Sequence, residues 1–148
     1  MTLPVLQSTV GLFDGPGAAF VFLLARVLFG GVLAFMGLNH FTGGEEMAGY
    51  AGVKGVPAPD LLVPLSGGTL VFGGLSVALG VYPLLGSGAL AVFLLVTTPV
   101  MHDFWAVGEE QRQQETINFL KNAALLGAAL VFLVLSGVAW PLSLGVGV

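Results

Sequence analysis

Four stretches of this sequence are so long and so apolar that few architectures can accommodate them. They run over about residues 17–38, 60–80, 84–101 and 116–138, each close to the roughly 20 residues that span a bilayer core. Hydrocarbon offers no water to backbone N–H and C=O groups, so each stretch must be helical. Burying the same helices inside a soluble protein would need a polar shell that the chain lacks. Charged residues make up 8% of its 148 positions, against about 25% in soluble domains, and the mean hydropathy is +0.99. The sequence therefore specifies an all-α fold: an integral membrane four-helix bundle, one domain over residues 1–148, multi-pass in the cell membrane and surrounded by membrane lipids.

The connections carry turn chemistry. Asp60, after Pro57-Ala58-Pro59, is placed to cap the second helix, and Tyr82-Pro83 marks a tight turn before the third. Pro64 and Pro99 fall inside or near the ends of runs, where a membrane bundle tolerates a kink. Glycine pairs such as Gly30-Gly31, Gly67-Gly68 and Gly73-Gly74 let helix backbones approach closely and leave homo-oligomerisation open. Residues 1–16 contain no Lys or Arg, unlike the basic opening of a secretory leader, so the first run is expected to be a retained helix.

An even number of spans returns the chain to the side it left. Both termini and the Tyr82-Pro83 turn therefore share one side, with both termini on one side of the membrane. The connections at about 39–59 and 102–115 share the other. That second side collects His40, Glu45, Glu46, Lys54, His102, Asp103, Glu109, Glu110 and Arg112. The positive-inside tendency of Lys54 and Arg112 points these connections to the cytoplasm. The net charge of −4 comes from eight acidic and four basic residues. Such a surface argues against nucleic acid, whose phosphates need a basic patch. The chain has no cysteine, which excludes disulfides, thiol–disulfide chemistry and a Cys-ligated iron–sulfur cluster. No phosphate loop, dinucleotide fingerprint, zinc-protease motif or nucleophile elbow is present.

The polar residues that remain inside the runs are the candidates for chemistry. Arg26 falls near the middle of the first span. A charge there costs roughly 2.5–3.5 kcal/mol on insertion scales and should face the bundle interior. No acid lies in the spans apart from Asp60 at the very start of the second, so Arg26 bonds carbonyls, the hydroxyls of Thr97 and Thr98, water, or a ligand. On the fourth run Glu115, Asn118 and Asn122 form a strip at helical spacing flanked by Lys121. Lys121 alone is explained by snorkelling, but two amides on the same helix end want partners. Those partners are His102, Asp103 and the loop backbone, or a polar ligand. His40 and His102 end the first and third spans at similar depth, a spacing that permits haem or a metal ion as the lesser alternative to hydrogen bonding. Asp103 orients His102 or accepts from Lys121. Phe104 and Trp105 are interfacial anchors or flank a flat ring. In the first connection, Met47, Tyr50, Ala51 and Val53 suit a short amphipathic helix at the interface.

Taken together, Arg26 in the first span, "GLNHF" at its end, "HDFW" after the third and "NFLKNAALLG" in the fourth resemble the DoxX family of small four-helix membrane proteins, over about residues 20–135. At the end of the first span many relatives carry Lys, where this chain has Asn39-His40. Some DoxX-like proteins are similar to membrane subunits of thiosulfate:quinone oxidoreductase. The resemblance implies a membrane or quinone-interacting subunit of a redox system. It directs attention to Arg26, His40, His102, Asp103, Trp105, Asn118, Lys121 and Asn122 as a polar ligand-binding cluster, without assigning catalytic residues. Quinone is the cofactor this implies, and electrons would come from a soluble or membrane redox partner. A non-catalytic scaffold or assembly factor, or a small-solute carrier or channel, is the alternative.

Overall fold

The computed structural model describes residues 11–147, which form five helices and no strand among them. Four helices have the length and composition to cross a membrane: α1 (Ala18–Thr42), α3 (Pro59–Leu79), α4 (Pro83–Met101) and α5 (Glu109–Leu135). A short α2 (Gly44–Val53) lies between the first two. Residues 1–10, part of the stretch that lacks a leader's basic opening, lie outside the described residues.

The helix ends differ from the hydropathy boundaries in informative ways. Apolar runs mark where the bilayer makes its demand, whereas helices continue wherever backbone bonding continues. Helix α5 therefore starts at Glu109, two polar turns before the apolar run, and stops at Leu135. Helix α1 continues to Thr42, carrying Asn39 and His40 with it. Helices α3 and α4 each open on a proline whose missing N–H would be unpaired there in any case. The preceding residues, Ala58 (φ 44°) and Tyr82 (φ 48°), take the left-handed conformation. The cap position of α3 is thus Ala58, not Asp60, which lies in the first helical turn.

Glycines at a seven-residue spacing set the α1–α3 contact. The two helices run antiparallel, so Gly30 faces Gly74 and Gly37 faces Gly67. A Cβ on Gly37 would stand 2.8 Å from the Gly67 carbonyl oxygen, and one on Gly74 would stand 2.7 Å from the Ala34 nitrogen. Backbone cannot yield as a flexible side chain does, so only glycine allows this approach at two points two turns apart. Around the contact the core gathers Phe29, Leu33, Leu70, Val77, Leu90 and Leu94, with Ala129 and Phe132 from α5.

Helix α5 packs chiefly on α4 and is the least covered span, with 11% of its apolar window buried against 28% for α1 and 39% for α3. Its approach to α1 is confined to one end. There the Phe29 and Phe132 rings lie 5.1 Å apart, and Phe22 meets Trp140 edge-on at 5.2 Å. Beyond α5 the chain turns back over that end. Leu144 donates its N–H to the Leu79 carbonyl at 2.9 Å, and Tyr82 donates to that of Val146 at 2.7 Å.

Candidate functional site

Away from the aromatic contact, α1 and α5 part, and a half-enclosed cavity of about 900 Å³ opens between them. Its floor is apolar: Leu33 and Met36 from α1, Leu70 from α3, Phe93 and Leu94 from α4, and Leu125 from α5. Its other end is polar. Asn39 and His40 come from the last turn of α1, Glu46 and Tyr50 from α2, Thr97 and His102 from the end of α4, and Asn118, Lys121 and Asn122 from α5. Helical spacing explains the α5 set, since residues three and four apart share a face.

His40 owes its place to the glycine contact. A Cβ on Gly67 would stand 2.6 Å from the Cβ of His40, so a bare backbone there admits the imidazole against α3. Nδ1 of His40 then lies 2.8 Å from Ser66 Oγ and 3.2 Å from the Val63 carbonyl oxygen. Phe93 stands beside it, ring centroids 6.5 Å apart. His102, just past α4, donates from Nδ1 to Glu115 Oε2 at 2.7 Å, tying the α4–α5 connection to the second turn of α5. Thr97 returns its hydroxyl to the Phe93 carbonyl at 2.7 Å.

The α5 amides and Lys121 are less occupied. Asn118 accepts from Gln114 Nε2 at 3.2 Å. Lys121 forms no ion pair among the described residues, where the salt bridges are Lys54–Asp103 and His102–Glu115. The stapling expected of this strip is thus carried by Glu115, while Lys121 and Asn122 have no side-chain hydrogen bond among the described residues.

Three of the residues singled out by sequence lie elsewhere. Arg26 is fourteen positions before His40 on the same helix, about 21 Å along the axis, and belongs to the opposite end of the bundle. It is fully buried. Its Nη1 donates to the Pro141 carbonyl at 2.8 Å, and its Nη2 donates to that of Leu142 at 2.6 Å. The guanidinium also lies over the Phe22 and Trp140 rings, 5.5 and 5.6 Å from their centroids. Its partners are carbonyls, as one expectation held: the two short bonds go to the returning tail, and a longer one, 3.4 Å from Nη2, goes to Ala78 near the end of α3. Asp103 bonds neither His102 nor Lys121. It pairs with Lys54 at the end of α2. Hydrogen bonding to Lys54 draws the Asp103 carboxyl below the usual carboxylate range, and the same bond raises the Lys54 ammonium. Trp105 is exposed and packs edge-on against Phe104 and Phe119 at 5.1 and 5.9 Å, outside the cavity lining.

Helix α2 forms as expected from its apolar positions. It buries Ala48 and Ala51 against Val63 and turns Met47 and Tyr50 to the cavity, while Val53 points outward. The Lys54–Asp103 pair, with Tyr50 Oη 3.5 Å from the Met101 carbonyl oxygen, holds it over the cavity's polar end. Phe93 and Ser66 were not singled out from sequence, and Glu46 was placed on this side but not in the ligand cluster. Gly67 had a readable signal in the seven-residue spacing of Gly30 to Gly37 and Gly67 to Gly74, whereas Ser66 had none. Among the described residues no group of three or more His, Asp or Glu side chains is arranged to hold a metal ion.

The fold and cavity define a small four-span membrane protein with a lateral, polar-ended pocket. A family model described as DoxX matches residues 21–103, more than half of the chain, and the chain belongs to the DoxX family. The matched stretch takes in Arg26, His40 and His102 and stops before α5, so Asn118, Lys121 and Asn122 lie outside it. No curated protein and no solved structure matches the chain.

Proposed function

We propose that this protein is the quinone-interacting membrane subunit of a redox system in the cell membrane. The observation that carries the reading is the α1–α5 cavity, apolar along its floor and polar at one end. A quinone is built the same way, with a flat oxygen-bearing ring on a hydrocarbon tail. The ring would lie beside Phe93, its carbonyls accepting from Lys121 and the Asn118 and Asn122 amides. The tail would leave between α1 and α5, the least covered side of the bundle. A pocket with an apolar lining and a few convergent polar groups is the usual form of a small-molecule site. Electrons would reach the ring from a soluble or membrane partner, since the chain has no cysteine to carry them.

The test is mass spectrometry of the lipid extract, with a visible spectrum, on protein purified in mild detergent. A stoichiometric quinone is expected. A quinone-free protein that takes up none when quinone is added would overturn the reading and leave the cavity to a scaffold.

A further inference from the structure

The hydrogen bonds of His40 restrict which form of the ring this cavity suits, an inference that rests on the quinone reading above. Nδ1 faces two oxygens at once, Ser66 Oγ at 2.8 Å and the Val63 carbonyl oxygen at 3.2 Å. A carbonyl only accepts. Ser66 Oγ already gives its own hydrogen to that same carbonyl at 2.7 Å. Nδ1 therefore carries the proton and donates to both oxygens, which makes Nε2 a bare acceptor in the neutral ring. Nε2 has no hydrogen-bond partner among the described residues, and the imidazole lines the cavity.

None of the other polar groups among the described residues lies within hydrogen-bonding distance of Nε2. His102 donates from Nδ1 to Glu115 at 2.7 Å whether its ring is neutral or charged, so its own Nε2 serves either form of a ligand. On α5, Lys121 has donors only, and Asn118 has its oxygen taken by Gln114 at 3.2 Å, leaving its N–H groups. A quinone carries acceptors only. It satisfies the donors of α5 but gives no hydrogen to the uncommitted acceptors His40 Nε2 and Asn122 Oδ1. A quinol hydroxyl donates to Nε2 while the ring oxygens still accept from α5. We infer that the cavity is a quinol site, selective for the reduced, hydroxyl-bearing ring over the oxidised one.

A site that bonds a ligand hydroxyl discriminates against the analogue lacking it, because its own acceptor is then stranded. The preference for quinol is expected to be about tenfold or more. Tighter binding of the reduced form raises the midpoint potential of the bound two-electron couple by about 30 mV per tenfold.

The experiment is calorimetric titration of the detergent-purified full chain with a decyl-substituted benzoquinol and, separately, with its quinone. It is run under argon at about pH 8. The quinol is expected to bind at least about tenfold tighter. In His40→Asn the side-chain amide takes over the donor to Ser66 and Val63, while its Oδ1, on a shorter side chain, does not reach the place of Nε2. The two affinities should converge, quinol losing the bond to Nε2 and quinone no longer stranding it. Equal affinities in the wild-type chain, or tighter quinone, overturn the selectivity while the quinone reading stands. A preference that survives in His40→Asn overturns its assignment to His40. If neither form binds, the quinone reading itself falls and the selectivity with it. The wild-type comparison needs no variant to fold.

Discussion

Replacing Arg26 with methionine should detach the returning tail and destabilise the bundle by about 3 kcal/mol. The figure follows from what the guanidinium touches. Its two short bonds, to Pro141 at 2.8 Å and Leu142 at 2.6 Å, are charge-assisted and contribute roughly 1.5 kcal/mol each at the low end. The 3.4 Å contact with the Ala78 carbonyl is too long to add much. Position over the Phe22 and Trp140 rings adds about 2 kcal/mol in a water-poor setting. Against these stands the relief of no longer holding a charge among apolar helices, about 2.5 kcal/mol on insertion scales. The two carbonyls left bare raise the balance again. Such a loss is roughly a hundredfold in the folding equilibrium. The chain has two tryptophans, so a Trp105→Phe background lets Trp140, which is buried, report alone. Titration with a denaturing detergent should show Trp140 emission shifting red at a lower fraction of denaturant in Arg26→Met. Arg26→Lys should fall between, since a single ammonium cannot fork to two carbonyls. An Arg26→Met chain with an unchanged midpoint and an unshifted Trp140 would refute the reasoning.

Other consequences are as direct. Lys121→Met should keep its stability, because Lys121 has no ion-pair partner among the described residues, yet co-purify with at least about tenfold less quinone, as loss of a charged donor generally implies. Lost stability in that variant would make the lysine a staple. Gly74→Ala should cost about 1–3 kcal/mol or more by thermal unfolding in detergent, because its Cβ would press on α1 backbone. Gly31→Ala, with nothing within 4 Å of its Cβ, should be neutral, and equal midpoints for the two would contradict the close contact. The Lys54–Asp103 pair lowers the Asp103 pKa and raises that of Lys54. Its contribution is therefore fully present between the ordinary ranges of the two groups, about pH 4 and about pH 10. It is lost as pH falls through the lowered Asp103 value or rises through the raised Lys54 value. Limited proteolysis of residues 44–58 should show the acid loss of protection in the wild type, and Asp103→Asn should abolish that acid dependence.

What the sequence made legible follows what each signal measures. Hydropathy reports the bilayer's demand, so it located four spans and placed His40, His102, Asn118, Lys121 and Asn122 at one end by counting crossings. It says nothing of polar turns that extend a helix into water, and α5 therefore begins at Glu109 rather than 116. The need of Arg26 for acceptors was readable from its burial in an apolar run. The identity of the acceptors was not, because a carbonyl looks alike at every residue and those used lie 52, 115 and 116 positions away. Asp103 shows the same limit. Adjacency suggested His102, but the geometry of two separate connections gave it Lys54 and gave His102 the carboxylate of Glu115. The parting of α1 from α5 that makes the cavity has no local signature. It arises because the large rings that bridge them, Phe29 and Phe132, sit at one end only.

The bond between Arg26 and the tail also bears on how the protein is made. Arg26 is made before its main acceptors, and Pro141 follows it by 115 residues. At ordinary translation speeds that interval is on the order of ten seconds. For that time a cationic helix waits in or beside the membrane without its native acceptors. The insertion machinery or lipid headgroups must shelter it until α5 has crossed and the tail folds back. Completion of this bundle therefore waits for residues 141 and 142, and a chain stopped before them would expose a bare arginine to quality control.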